Sequence, residues 1–311
     1  MEVSPLVDDR VFKELDAASY DALAEEYGRF IELLAAPLAL EVCRLAGIAA
    51  GDHVLDIGCG TGIASRRAAS LVGAGGRVVG VDLSVGMLAA ATRRSAPDLA
   101  SGVLQFERMD AEALELDDGS FDSVVSLCAV LHFPRIDRAL AEMRRVLRPG
   151  GALVVSFGAG RPAALLPLAR HAAGRGRSRI RNRLRPELRA PALLLRLAGE
   201  ELPGTADDVL TTWAGNSPRS RLVKHVEAAG FADVSSSWRG HEVPFGSVAE
   251  LWDAQLAIVT EIRKRVAEAD PSTVERVRAR FEADADRVLS RGGRLVYPYG
   301  ASFVRAIAPP L

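Results

Sequence analysis

Val54-Leu55-Asp56-Ile57-Gly58-Cys59-Gly60-Thr61-Gly62 is the stretch that decides the fold. A run suited to a buried strand meets three glycines at every second position, the form of a strand that turns sharply into a helix. Such a turn lets a ligand approach the main chain closely. A dinucleotide fingerprint would read G-x-G-x-x-G, yet position 63 is Ile. Asp56 also stands immediately before the turn, where it would repel a pyrophosphate at the helix N-terminus; it suits a ligand bearing an ammonium group instead.

Working outward, short β-branched runs alternate with helical patterns from His53 to Phe157, as expected of parallel strands joined by crossover helices. The predicted strands are His53 to Ile57, Arg77 to Val81, Val103 to Arg108, Phe121 to Leu127 and Ala152 to Phe157. Ile136, Leu140, Met143 and Leu147 share a helical face, and Arg148-Pro149-Gly150-Gly151 is predicted to stop that helix. After Phe157 the rhythm breaks into a helical, Arg-rich stretch. It resumes with a helix near Arg221 to Ala229 and strands near Ala232 to Arg239 and Ser302 to Ile307. Two amphipathic helices, Val248 to Ala267 and Pro271 to Leu289, lie between those strands. Asp270 is the expected N-cap of the second, and Val274, Val277, Phe281 and Val288 its apolar face.

The expected architecture is therefore α/β: a doubly wound, seven-stranded, mostly parallel sheet with a helical cap. Its parts are an N-terminal helical lid (1–46), a core (47–158), an Arg-rich helical insertion (159–216) and a C-terminal return to the core (217–311) whose inserted helices (248–290) join the cap. In such sheets ligands bind outside the carboxyl ends of the strands.

Composition narrows the partners. A chain of 311 residues that is 49% apolar can bury a full core, and its net charge of −1 disfavours a nucleic-acid partner. Cys43, Cys59 and Cys128 lie far apart, without the spacing of a zinc site, so no metal is expected and a reducing, cytoplasmic setting is. The first residues lack a basic and then apolar leader, and no apolar run approaches the ~20 residues of a membrane span. Oligomeric state is not readable.

The glycine-rich stretch resembles the first motif of class I S-adenosylmethionine-dependent methyltransferases, a Rossmann-like family. Arg77-Val78-Val79-Gly80-Val81-Asp82-Leu83-Ser84 resembles their second motif, Met109-Asp110-Ala111-Glu112 the third, Phe121 to Leu127 the fourth strand, and Arg145 to Gly151 the approach to the fifth. The resemblance covers about a third of the chain. It implies S-adenosylmethionine as cofactor and S-adenosylhomocysteine as product, held by Asp56, Gly58, Cys59 and Gly60, and by Asp82 and Leu83 toward the ribose. Met87 would pack on the adenine, Asp110, Ala111 and Glu112 would bind its edge, and Leu127, at the end of the fourth strand, would also bind the cofactor. The closest resemblance is to the small-molecule group that includes quinone and natural-product enzymes. There Tyr20-Asp21-Ala22-Leu23-Ala24-Glu25-Glu26-Tyr27 looks like a helix folded over the cofactor, with Tyr20 or Tyr27 donating to the methionine carboxylate; plain packing is the alternative.

Methyl transfer from a sulfonium chiefly requires alignment and exclusion of water, and an oxygen or activated-carbon acceptor must also lose a proton. His132 is the first candidate base, His241 and Glu242 the second, against the reading that a lone His merely packs. Tyr297 and Tyr299 are candidates for the acceptor wall. Cys59 and Cys128 read as small buried residues without a basic neighbour. The resemblance leads to biosynthetic methylation of a small, largely apolar acceptor, O-methylation ahead of C- or N-methylation. The alternatives are a quinone-type C-methyltransferase docked on a membrane surface through the Arg-rich insertion, a contact not favoured, and a cofactor-binding regulator without turnover.

Overall fold

The structure, a computed structural model, describes residues 8–158, 187–203 and 218–310. The chain divides into two compact units. One comprises Met1–Gly158, Val209–Arg239 and Ala301–Leu311, the other Ala159–Asp208 and Gly240–Gly300.

The first unit is built on parallel strands β1 (His53–Ile57), β2 (Arg77–Asp82), β3 (Leu104–Arg108), β4 (Phe121–Ser126) and β5 (Leu147–Gly158), joined side by side in the order β3-β2-β1-β4-β5. Val54, Leu55, Ile57, Val124 and Val125 are wholly buried, as a central parallel strand covered on both faces requires. Beyond β5 the sheet continues antiparallel into β8 (Arg294–Ile307), with Val155 opposite Val304, and β7 (Ala232–Phe245) pairs with β8. These seven strands, mostly parallel, are as expected, and a short further strand brings the sheet to eight. The order reverses at β1, so the crevice at the carboxyl ends of β1 and β4 is the topological switch point.

The crossover helices are α3 (Ile63–Val72), α4 (Val85–Arg94), the short α5 (Ala96–Ala100) and α6 (Ile136–Val146). Ile136, Leu140, Met143 and Leu147 are all buried, but Leu147 already belongs to β5. Arg148-Pro149-Gly150-Gly151 is thus not a helix stop ahead of the strand. It is an irregularity within it: the register shifts between the pairs Phe121–Leu147 and Ser123–Ala152. Proline and glycine suit such a bulge as well as a terminus.

Ahead of the sheet lie α1 (Asp9–Asp21) and α2 (Ala24–Ala46). Asp8 caps α1 by accepting from Arg10 N–H. α2 buries Phe30, Leu34, Leu38 and Val42 along one face and ends at left-handed Gly47, whose N–H returns to Arg44 O.

In the second unit, α7 (Ala190–Glu201), α9 (Val248–Ile258), α10 (Thr260–Glu268) and α11 (Pro271–Leu289) pack together, while α8 (Pro218–Ala228) belongs to the first unit. Trp252 meets Phe281 at 5.6 Å between centroids, and Asp270 caps α11 through Thr273 N–H, as expected. Burying such aromatic side chains contributes roughly 1.5–3 kcal/mol each. The single helix expected over Val248 to Ala267 is instead two, broken at Val259, whose backbone is extended at φ −97 and ψ 97. Arg263 spans the break by donating to Ala257 O. Strand β6 (Glu187–Arg189), parallel to β8 at Arg294–Val296, lies where only helix was expected. Most of the Arg-rich insertion lies outside the described residues.

Candidate functional site

A pocket of about 810 Å³, open mouth included, lies at the switch point. Its floor follows the ends of β1 (Ile57, Gly58, Gly60), β2 (Val81, Asp82, Leu83) and β4 (Leu127, Cys128, Ala129) and the segment after β3 (Met109, Asp110, Ala111).

Three carboxyl groups shape the floor. Asp82 is a small hub: Oδ2 accepts from Gly60 N–H at 2.8 Å and Oδ1 from Ser84 N–H at 2.9 Å. It therefore ties the glycine turn to the start of α4, and each carboxylate oxygen keeps a further lone pair for a ligand hydroxyl. Burial pushes its carboxyl up, opposed by those two backbone donors. Asp56 lies beneath the wall rather than on it, 1% exposed. Ser65 O–H donates to its Oδ2 at 2.6 Å, Oδ1 has no partner among the described residues, and burial raises its carboxyl to about 7. Asp110 lies on the wall, its Oδ1 accepting from Glu112 N–H and its Oδ2 from Lys13 Nζ at 2.6 Å.

Two backbone conformations are held open for this floor. Gly58 sits at φ +66, where a Cβ would lie 2.3 Å from Ala129 Cβ, so only glycine lets the β1 turn pass under the β4 loop. Cys128 adopts φ +61, which is costly for a side chain with Cβ; its N–H donates to Ser156 Oγ at 3.0 Å.

The roof is α1. Lys13, Asp16, Ala17 and Tyr20, spaced i, i+3, i+4 and i+7, all line the pocket. Four ties hold the helix down. Arg135 pairs with Asp9 at 2.7 Å, and Lys13 reaches both Asp110 and Glu112. Asp16 Oδ2 lies 2.8 Å from His132 Nδ1, and Asp21 Oδ1 accepts from Ser84 O–H at 2.6 Å and Gly86 N–H at 2.9 Å. Tyr20 sets its ring edge-on to both Tyr27 and His132, and with Tyr27 packs on buried Met87.

Comparison with known proteins joins this geometry to a family. Residues 55–155 match the model described as methyltransferase domain. The match covers about a third of the chain. The chain is 32% identical over 155 residues to a demethylmenaquinone methyltransferase of Symbiobacterium thermophilum, covering 49% of this chain and 60% of that protein. It is 35% identical over 139 residues to the ubiquinone/menaquinone biosynthesis C-methyltransferase UbiE of Pseudomonas paraeruginosa, covering 45% and 53%. The match thus spans a little over half the length of each of these relatives. In fold, the chain is similar to phosphoethanolamine N-methyltransferase 2 of Haemonchus contortus, solved with S-adenosyl-L-methionine. The TM-score is 0.54 at 18% identity, over 98% of this chain and 61% of that one.

Within the matched segment and its roof, the structure gathers most residues singled out from sequence around one pocket: Tyr20, Tyr27, Gly58, Gly60, Asp82, Leu83, Met87, Asp110, Ala111, Leu127 and His132. Asp56, Cys59 and Glu112 lie behind it. Glu112 accepts from Lys13 Nζ at 2.8 Å and from Arg135 N–H at 2.8 Å, and burial pushes the Cys59 thiol up. His241 belongs to the other unit, edge-on to Tyr299 at 6.5 Å, with Tyr299 in turn near Tyr297. Sequence reading missed Lys13 and Asp16. Their helical spacing with Tyr20 was the available signal.

Proposed function

We propose that the chain is an S-adenosylmethionine-dependent methyltransferase whose acceptor is small and largely apolar, methylated on oxygen in the leading reading. The observation that carries this is the Asp82 hub at the switch point of a methyltransferase domain: a half-buried carboxylate, fixed by the glycine turn, offering lone pairs to a vicinal diol. The residues fit the cofactor in kind. Asp82 accepts the ribose hydroxyls, Met87 packs on the adenine, Ala111 and Asp110 take its edge, and Gly58 and Gly60 leave the main chain accessible. Asp56 lies beneath the wall with its Oδ1 lacking a partner among the described residues, and an ammonium group bound above it would favour its ionised form.

When bound, S-adenosylmethionine supplies an electrophilic methyl group on a sulfonium. The protein supplies alignment and a dry enclosure, with α1, Tyr20 and Phe133 among the walls. His132 accepts the proton that a hydroxyl acceptor must lose. The apolar walls beside it support an apolar acceptor.

A second reading is favoured by the curated relatives: methylation of a ring carbon in a hydroquinone-like acceptor, for which the same base serves. Thermal stability with S-adenosylmethionine, S-adenosylhomocysteine and NAD tests the cofactor. A ligand at ~100 times its Kd stabilises by about 2.7 kcal/mol, and stabilisation by NAD alone, or by none of the three, would overturn the reading. NMR of the products from paired phenol and hydroquinone acceptors then separates oxygen from carbon transfer, because O–CH3 and ring C–CH3 groups have distinct shifts.

A further inference from the structure

We propose that Asp16, carried by the N-terminal helix, is a positioning residue that fixes the tautomer of His132, so that the base exists in working form only while α1 is docked. This deepens the reading of His132 as proton acceptor and rests on it.

The argument starts from donors and acceptors. A neutral imidazole has one protonated and one bare nitrogen, and an ionised carboxylate can only accept. With Asp16 Oδ2 at 2.8 Å from His132 Nδ1, the proton of neutral His132 must sit on Nδ1, which leaves Nε2 bare. A bare nitrogen is what a general base requires. Asp16 is held in place on α1, where it is 9% exposed and Ser19 O–H donates to its backbone carbonyl. His132 is half-enclosed, with Tyr20 edge-on at 5.7 Å, and both members of the pair line the pocket. Asp82, the other carboxylate whose charge His132 favours, has each oxygen engaged by a backbone N–H.

The pair also spans the roof contact. Asp16 lies 116 residues before His132 and reaches it only because α1 folds over the strand ends. The same helix that closes over the ligands thereby completes the base, which couples enclosure to proton removal.

The first test is the tautomer of His132 in the wild-type chain bound to S-adenosylhomocysteine, read by long-range proton–nitrogen NMR. Nδ1–H with a bare Nε2 is expected; the opposite tautomer overturns the proposal. The second is Asp16→Asn, whose amide can donate to Nδ1 and turn the proton onto Nε2. A swapped tautomer is expected, with kcat lower by ~10²-fold or more at unchanged KM for the cofactor. Asp16→Glu is expected to recover part of the loss. A kcat within about threefold of wild type in Asp16→Asn also overturns the proposal. S-adenosylhomocysteine binding reports whether each variant is folded. Because the NMR readout needs no turnover, a wild-type chain with the expected tautomer that methylates no acceptor would sink the transfer reading and leave the Asp16–His132 pair standing.

Discussion

Gly86 and Asp21 are in direct backbone contact: a Cβ on Gly86 would lie 2.6 Å from both Asp21 Cα and its carbonyl oxygen. Asp21 also accepts from Gly86 N–H, so the end of α1 and the start of α4 are locked at one point. Replacing Gly86 with Ala forces the two apart, because backbone cannot yield as a flexible side chain can. The expected result is a loss of about 1–3 kcal/mol in stability together with weaker binding of S-adenosylhomocysteine, measured by denaturant melts and calorimetry. Unchanged affinity would mean that α1 does not enclose the ligand.

Gly58→Ala is expected to be more damaging than an ordinary loop substitution. Its Cβ would collide with Ala129 at 2.3 Å while the backbone sits at φ +66. Both the β1 turn and the β4 loop would move, and Cys128, the residue just before Ala129, is already in left-handed conformation. Cofactor binding is expected to be abolished in calorimetry at a stability cost of about 2 kcal/mol or more. Wild-type affinity in this variant would contradict the assigned floor.

Asp82→Ala removes the acceptor of two backbone N–H groups and of the proposed diol. Hydrogen bonds to charged groups contribute about 1.5–3 kcal/mol each, so affinity for S-adenosylhomocysteine is expected to fall by ~10²-fold. The specific check is an analogue lacking both ribose hydroxyls. It should lose affinity on the wild-type chain and little on the variant, whereas equal losses on both would place the ribose elsewhere.

Asp56 yields a pH prediction of definite sign. Burial holds its carboxyl at about 7 in the folded chain, against 3.8 for the free group. Between those values the folded state keeps a proton that the unfolded state releases, so stability from this group is complete below about pH 4 and is lost as pH rises toward 7. Asp56→Asn keeps an oxygen for the Ser65 hydroxyl and cannot ionise. Its stability relative to wild type is therefore expected to rise between pH 4 and pH 8, by on the order of 2–4 kcal/mol. Urea melts of both proteins at the two pH values measure the difference; a flat difference would show that Asp56 ionises freely in the folded chain.

The strands of the core were legible because their burial is written in composition. Val54-Leu55-Asp56-Ile57 is apolar but for one residue, Phe121 to Ser126 carries the β-branched pair Val124-Val125, and the glycines after β1 admit few conformations. The bulge at Pro149 and Gly150 was not, since the same residues end helices and interrupt strands. The break at Val259 was also silent: its residue type is ordinary, and only tertiary packing decides it. In the site, the residues of the glycine turn and the strand ends could be placed by local pattern. Asp16 and Lys13 could not, because their partners His132, Asp110 and Glu112 lie about a hundred residues away. Sequence spacing carries information about one helix face, not about what that face will meet.

That long separation has a kinetic meaning. The ties of α1 reach residues 63 to 126 positions further along the chain, to Ser84 at the near end and Arg135 at the far end. Contacts of such range carry a large loop-closure cost, and α1 meets them through exposed charges such as Asp9 and half-buried polar groups rather than a deep apolar seam. The helix is thus expected to dock after the sheet has formed and to detach without unfolding it. In hydrogen exchange its amides would lose protection ahead of those of β1 and β4, and added salt would hasten that loss.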